Sequence, residues 1–93
     1  MFVVPYYGIV NNKNRETFRR IFEEPIRRDI ESHEVERLVL ALGGCVEERT
    51  GSRIALELNG VDFRYHRPHP RKELKRYLIR RLRVFFVEAG VER

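Results

Sequence analysis

The chain has 93 residues, 42% of them apolar and 35% charged, with a net charge of +5 and a pI near 9.9. A single domain is expected at this length, with a modest core that excludes a deep enclosed pocket and favours a site on the surface. The basic balance selects for an anionic partner: nucleic acid, an acidic protein or an anionic membrane face. One cysteine, Cys45, rules out an internal disulfide and points to a reducing, cytoplasmic setting. Beside Val46 it reads as a small buried hydrophobe, with no neighbouring histidine to activate a thiol. No apolar run approaches the roughly 18 residues of a membrane span. The opening segment lacks the basic lead-in and cleavage site of a signal peptide.

Residues 1–10 are rich in β-branched and aromatic residues around Pro5. They suit an edge strand, an interface arm or a loose tail, and form an N-terminal arm to a domain over 11–93. A helix is expected from Asn11 to Glu24, capped by Asn12, with Thr17, Phe18, Ile21 and Phe22 on one face. Pro25 ends it, and residues 25–31 connect. A second helix opens with Ser32 as N-cap, with Glu34 and Glu36 in its first turn. Val35, Leu38, Val39 and Leu42 form its apolar stripe, and Gly43-Gly44 stops it.

Three strands follow: Cys45–Arg49, Arg53–Leu58 and Val61–His66. Asn59-Gly60 between alternating runs is a strong hairpin signal, because both turn residues need positive φ. A two-residue turn sets Leu58 against Val61, Leu56 against Phe63 and Ile54 against Tyr65, all on one apolar face. The other face carries Arg53, Glu57, Asp62, Arg64 and His66. After a loop with two prolines, a last helix is expected from Lys72 to Ala89, capped by Gly90. Leu74, Tyr77, Leu78, Leu82, Phe85, Phe86 and Ala89 would be its buried face. The class is α+β: a three-stranded antiparallel sheet with helices packed on one face, and an extra N-terminal helix.

The charge is concentrated. Residues 62–83 hold nine Lys/Arg against Asp62 and Glu73, a local charge of +7 that leaves −2 for the rest. On the expected last helix, Lys72, Lys75, Arg76, Arg80 and Arg83 recur at three- and four-residue spacing and would line one solvent-facing stripe. Such a stripe suits a polymer whose phosphates repeat along a line. Cations in the first turn of a helix oppose its dipole, so Lys72, Lys75 and Arg76 there point to function rather than to helix stability.

Two of the three histidines, His66 and His69, fall within four residues beside this stripe. An imidazole can take the proton of a ribose 2′-OH or protonate a leaving 5′-oxygen, and adjacent guanidiniums stabilise the charge that builds on phosphate. His66, His69, Arg67, Arg71 and Lys72 therefore form a candidate ribonuclease site, against the alternative of loop histidines with structural hydrogen bonds. His33 reads as a surface residue. No second His/Cys cluster completes a zinc site, and no metal or cofactor is expected.

Several stretches in order resemble the HicA family of type II toxins. They are Val35-Glu-Arg-Leu-Val-Leu-Ala-Leu-Gly43, Gly51-Ser52, Leu58-Asn-Gly-Val61, His66-Arg-Pro-His-Pro70 with Lys72-Glu73, and Phe86-Val-Glu-Ala-Gly-Val91. The segment Asn12–Pro25 resembles the leader helix of one HicA-like subgroup, so the likeness spans about residues 11–91. The resemblance implies a small double-stranded-RNA-binding-like fold, a toxin that binds and cleaves mRNA, and a HicB antitoxin partner. It also implies a catalytic histidine just after the Gly-Ser; here Ser52 is followed by Arg53. An arginine holds phosphate but does not shuttle protons near neutral pH. Three readings stay open: an endoribonuclease using His66 or His69, a non-catalytic RNA-binding module, and an interaction domain for an acidic protein. In the RNA readings Ser52, Arg53, Arg67, Arg71, Lys72, Lys75, Arg76 and Arg80 contact the strand.

Overall fold

Asn59 and Gly60 take φ of 51° and 83°, the tight turn that the Asn-Gly pair demands. They join β3 (Arg53–Leu58) to β4 (Val61–His66). The register is the expected one: Leu58 opposite Val61, Leu56 opposite Phe63, Ile54 opposite Tyr65. β2 (Cys45–Glu48) pairs antiparallel with β3, giving the sheet order β2-β3-β4. The computed structural model describes residues 4–5 and 11–92. Of the N-terminal arm, only Val4–Pro5 (β1) lies within the described residues, as a two-residue strand parallel to β5 (Val91–Glu92).

Three helices lie on one face of the sheet: α1 (Asn12–Ile21), α2 (Ser32–Ala41) and α3 (Arg76–Glu88). One core joins them, built on Phe18, Ile21, Val35, Leu38, Leu56, Leu58, Ile79, Leu82 and Phe86. An aromatic chain runs through it: Phe18 stands edge-on to Phe86 at 5.4 Å, Phe86 meets Phe85 at 5.1 Å, and Phe85 meets Phe63 at 5.5 Å. Among the described residues no helix is long and apolar enough to cross a membrane.

The ends of the elements differ from expectation in ways that matter for the site. Asn11, not Asn12, caps α1, accepting from Asn14 N at 2.9 Å. The helix ends at Ile21, short of Glu24, and Arg83 reaches across from α3 to carbonyls at and just past its end. Its Nε donates to Ile21 O at 2.7 Å and its Nη2 to Glu23 O at 2.7 Å. Glu31, not Ser32, caps α2: its side chain accepts from the Glu34 backbone, while Glu34 accepts from Glu31 N at 2.9 Å. Cys45 is exposed, because it stands opposite Glu57 on the open face of the sheet.

The largest difference is at α3, which begins at Arg76 rather than Lys72. Residues 72–74 run extended beside the end of the α1–α2 connector. Leu74 N donates to Ile30 O at 2.8 Å and Ser32 N to Lys72 O at 3.2 Å. Leu74 is still buried, but from this bridge and not from a helix face. Leu78, Leu82, Phe85 and Phe86 are buried as expected, but Tyr77 is 55% exposed and Ile79 is 0% exposed.

Two adjacent glycines, Gly43 and Gly44, separate two steric requirements. Gly43 has φ of +89° with nothing near an added Cβ, whereas a Cβ on Gly44 would overlap Glu57 O and come within 2.7 Å of Val39 Cγ1. Gly43→Ala is expected to cost about 1 kcal/mol, and Gly44→Ala about 3 kcal/mol or a failure to fold. Equilibrium urea unfolding of both checks the order. A second prediction concerns acid. Burial opposes the charge of Glu34, but the Glu31 backbone N–H and then Arg20 outweigh it, holding its pKa below the ordinary 4.5. A carboxylate depressed on folding adds stability that is complete above its unfolded pKa and lost as pH falls through its folded value. Stability should therefore decline as the pH drops below 4.5. Glu34→Gln should remove this part of the decline and cost about 1 kcal/mol at neutral pH.

Candidate functional site

Strand alternation decides what β4 presents at its end. Phe63 and Tyr65 turn to the helices, while Asp62, Arg64 and His66 are exposed. His66 is the cross-strand partner of Arg53. With Arg49 and Arg64 these two surround a shallow depression of about 200 Å³ on the open face of the sheet, lined by no carboxylate. Arg53 Nε donates to Thr50 O at 3.1 Å, and Arg49 pairs with Glu47 at 2.6 Å. Arg64 and His66 have no side-chain partner among the described residues.

Arg67, the next residue, faces inward, and its guanidinium is committed. Its Nη2 donates to Glu36 Oε1 at 2.7 Å and to Glu48 Oε1 at 2.9 Å, and its Nε to Glu36 Oε2 at 3.1 Å. Tyr65 Oη donates to the same Glu36 Oε2 at 2.6 Å. Glu36 is 8% exposed, so these bonds compensate the burial of its charge. Burial first, and the bond to Glu36 next, push the Tyr65 phenol far above its ordinary pKa and keep it a donor. Glu36 first and Glu48 next raise Arg67 further above its ordinary value. The Arg67 backbone N–H also donates to Ser52 O at 2.8 Å, tying the strand end to the β2–β3 turn.

Beyond this anchor the chain turns through Pro68, His69 and Pro70 into the extended 72–74 segment. A second depression of about 600 Å³ opens between this loop, Arg28 of the connector and the start of α3. Its lining includes His69, Arg71, Lys75, Arg76 and Tyr77, with Glu73 as its one carboxylate. His66 lines both depressions. Lys75 is the N-cap of α3 and Arg76 its first residue, with no acid in the first turn. The dipole argument therefore applies to Arg76 and not to Lys72, which lies outside the helix.

The expected single stripe is broken up. Arg83 is drawn to α1, Lys72 sits in the extended segment outside both depressions, and Arg80 lies one turn beyond Arg76, exposed. Ser52 is an exposed turn residue whose carbonyl is used structurally. His66, Arg53, His69, Arg71, Lys75 and Arg76 are brought to the two depressions. Four contributors were not among the expected contacts: Arg28, Arg49, Arg64 and Tyr77. Arg64 was readable from the outward side of the hairpin, whereas Arg28, far away in sequence, carried no signal.

A family profile described as "HicA toxin of bacterial toxin-antitoxin" matches residues 32–91, from α2 through the start of β5. The α1 segment lies outside the match. No curated protein and no solved structure matches the chain.

Removing the carboxylate of Glu36 would take the buried acceptor from Tyr65 and leave Arg67 only Glu48. Glu36→Ala should cost about 2–4 kcal/mol of stability. Arg71→Ala, exposed on the same loop, should stay within about 0.5 kcal/mol of the parent. Chemical unfolding of the two variants tests this separation of structural from free cations.

Proposed function

The chain belongs to the HicA toxin family of bacterial toxin–antitoxin systems, and from that premise we propose that it is an RNA-binding toxin that cleaves mRNA without a metal in the cytoplasm and is silenced by a HicB-type antitoxin. The observation that carries this reading is that His66 stands at the meeting of two cation-lined depressions. One holds Arg53 and Arg64, the other Arg71, Lys75 and Arg76. In this reading the phosphates flanking the scissile bond lie in the two depressions.

His66 takes the proton of the ribose 2′-OH, and that oxygen attacks the adjacent phosphorus. The bond from phosphorus to the 5′-oxygen breaks, and that oxygen receives a proton from the second imidazole, His69. Arg53 and Arg64 face the charge that grows on the non-bridging oxygens. The reading calls on no metal because the two imidazoles supply both proton transfers. A family antitoxin would silence the protein by covering the His66–His69 loop, where the two depressions join.

A second reading, RNA binding without cleavage, is favoured by one observation. Neither His66 nor His69 has a hydrogen-bond partner to orient its ring among the described residues, and Arg53 occupies the strand start after Gly51-Ser52.

The test is RNA cleavage in EDTA by the parent, His66→Ala and His69→Ala. Both histidines are exposed, so both variants should fold. His66→Ala is expected to lower the cleavage rate by about 100-fold or more while RNA binding persists. A folded parent that binds RNA and never cuts it would establish the second reading. The double change Lys75→Ala with Arg76→Ala should weaken RNA binding and lower the slope of log affinity against log salt by about 2. An unchanged slope would point to an acidic protein partner instead.

A further inference from the structure

We infer that Tyr77 is a stacking platform for one unpaired nucleobase, which makes the larger depression a single-strand RNA site. This rests on the RNA reading above and names the form of RNA taken. α3 buries Leu78, Ile79, Leu82, Phe85 and Phe86, and Tyr77 stands off that face. It is 55% exposed, beside Leu78 at 5% and Ile79 at 0%. Among the described residues it is the one aromatic side chain left more than half in water. Its ring has no aromatic neighbour there and its hydroxyl no hydrogen-bond partner.

Its setting gives it a use. Tyr77 lines the depression together with His69, Lys75 and Arg76. Cations alone would hold phosphates and leave the bases unread. A flat ring beside a cationic track is the arrangement that grips single strands, because every base has a face to stack. A base within an A-form duplex has both faces covered, so a duplex gains nothing from the ring. The other exposed apolar residues of α3 are different in kind. Val84 and Val87 are aliphatic, and the hollow beside Val84 sets two carboxylates, Asp62 and Glu88, against one cation, Arg81.

The chain contains no tryptophan, so Tyr77→Trp places a single indole at this position. It is titrated with a short single-stranded oligoribonucleotide and with a blunt duplex of the same sequence, beside Tyr77→Ala and Tyr77→Phe. The single strand is expected to quench the indole, and the duplex to leave it unchanged. Tyr77→Ala should lose roughly 5- to 150-fold in single-strand affinity, with duplex affinity unaltered and Tyr77→Phe close to the parent. Circular dichroism should match across all variants. Equal single-strand affinity in parent and Tyr77→Ala would overturn the platform while leaving the RNA reading intact. An equal loss for strand and duplex would also overturn it. A parent that binds neither RNA but binds an acidic peptide would overturn both.

Discussion

Three donors from the far end of the hairpin converge on Glu36, a carboxylate on the inner side of α2. Tyr65 comes from the last buried position of β4, and the fork of Arg67 from the residue just past the strand. Glu48 of β2 shares the same guanidinium. One side-chain network thus ties a helix, the end of β4 and the opposite edge strand β2 at the point where the chain leaves the sheet. The bonds to Glu36 are charge-assisted and buried or partly so, which makes them strong when complete and costly when broken. Everything after Arg67 depends on that exit. His66 is the residue before the anchor and His69 the second after it, so the network sets where both imidazoles leave the sheet without touching either.

The same network divides the cations into two populations. Arg67 lies in the middle of the basic segment but its charge is neutralised within the fold. Arg83 is likewise drawn to Glu24 and to carbonyls at and just past the end of α1, and Arg20 joins α1 to Glu34 of α2 at 3.0 Å. These arginines hold elements together. Arg53, Arg64, Arg71, Lys75 and Arg76 remain, exposed and around the two depressions. A count along the sequence places +7 between residues 62 and 83, yet the charge offered to a ligand is smaller and differently distributed. It includes Arg28, which lies outside that segment, while Arg49 is paired with Glu47.

What could be read from the sequence follows from how local the deciding physics is. The hairpin is a two-residue problem with a two-residue answer: Asn59 and Gly60 set the turn, the turn sets the register, and alternation sorts the faces. The stop at Gly43 is similarly local. The start of α3 is not. Lys72-Glu-Leu-Lys75 has helical propensity and Leu74 fits the apolar period, but the backbone of Leu74 is taken by Ile30, some forty residues earlier. Tertiary pairing overrode propensity there. Cys45 was judged by its neighbours and not by the strand's alternation, which puts it opposite Glu57. Arg28 reaches the site only because the connector folds back, a fact no window of sequence contains.

A domain this small cannot surround a substrate, so a site on it must gain selectivity by dividing tasks over an open surface. The buried Glu36 network supplies rigidity, and rigid support is what makes exposed groups useful, since an unsupported cation on a flexible loop gains little when it meets a phosphate. The exposed arginines and lysines supply attraction that is indifferent to sequence. In the proposed reading the ring of Tyr77 adds the one contact that discriminates strand from duplex. His66 lines both depressions and the rest of the His66–His69 loop lines the larger, so a partner seated on His66 would meet both at once.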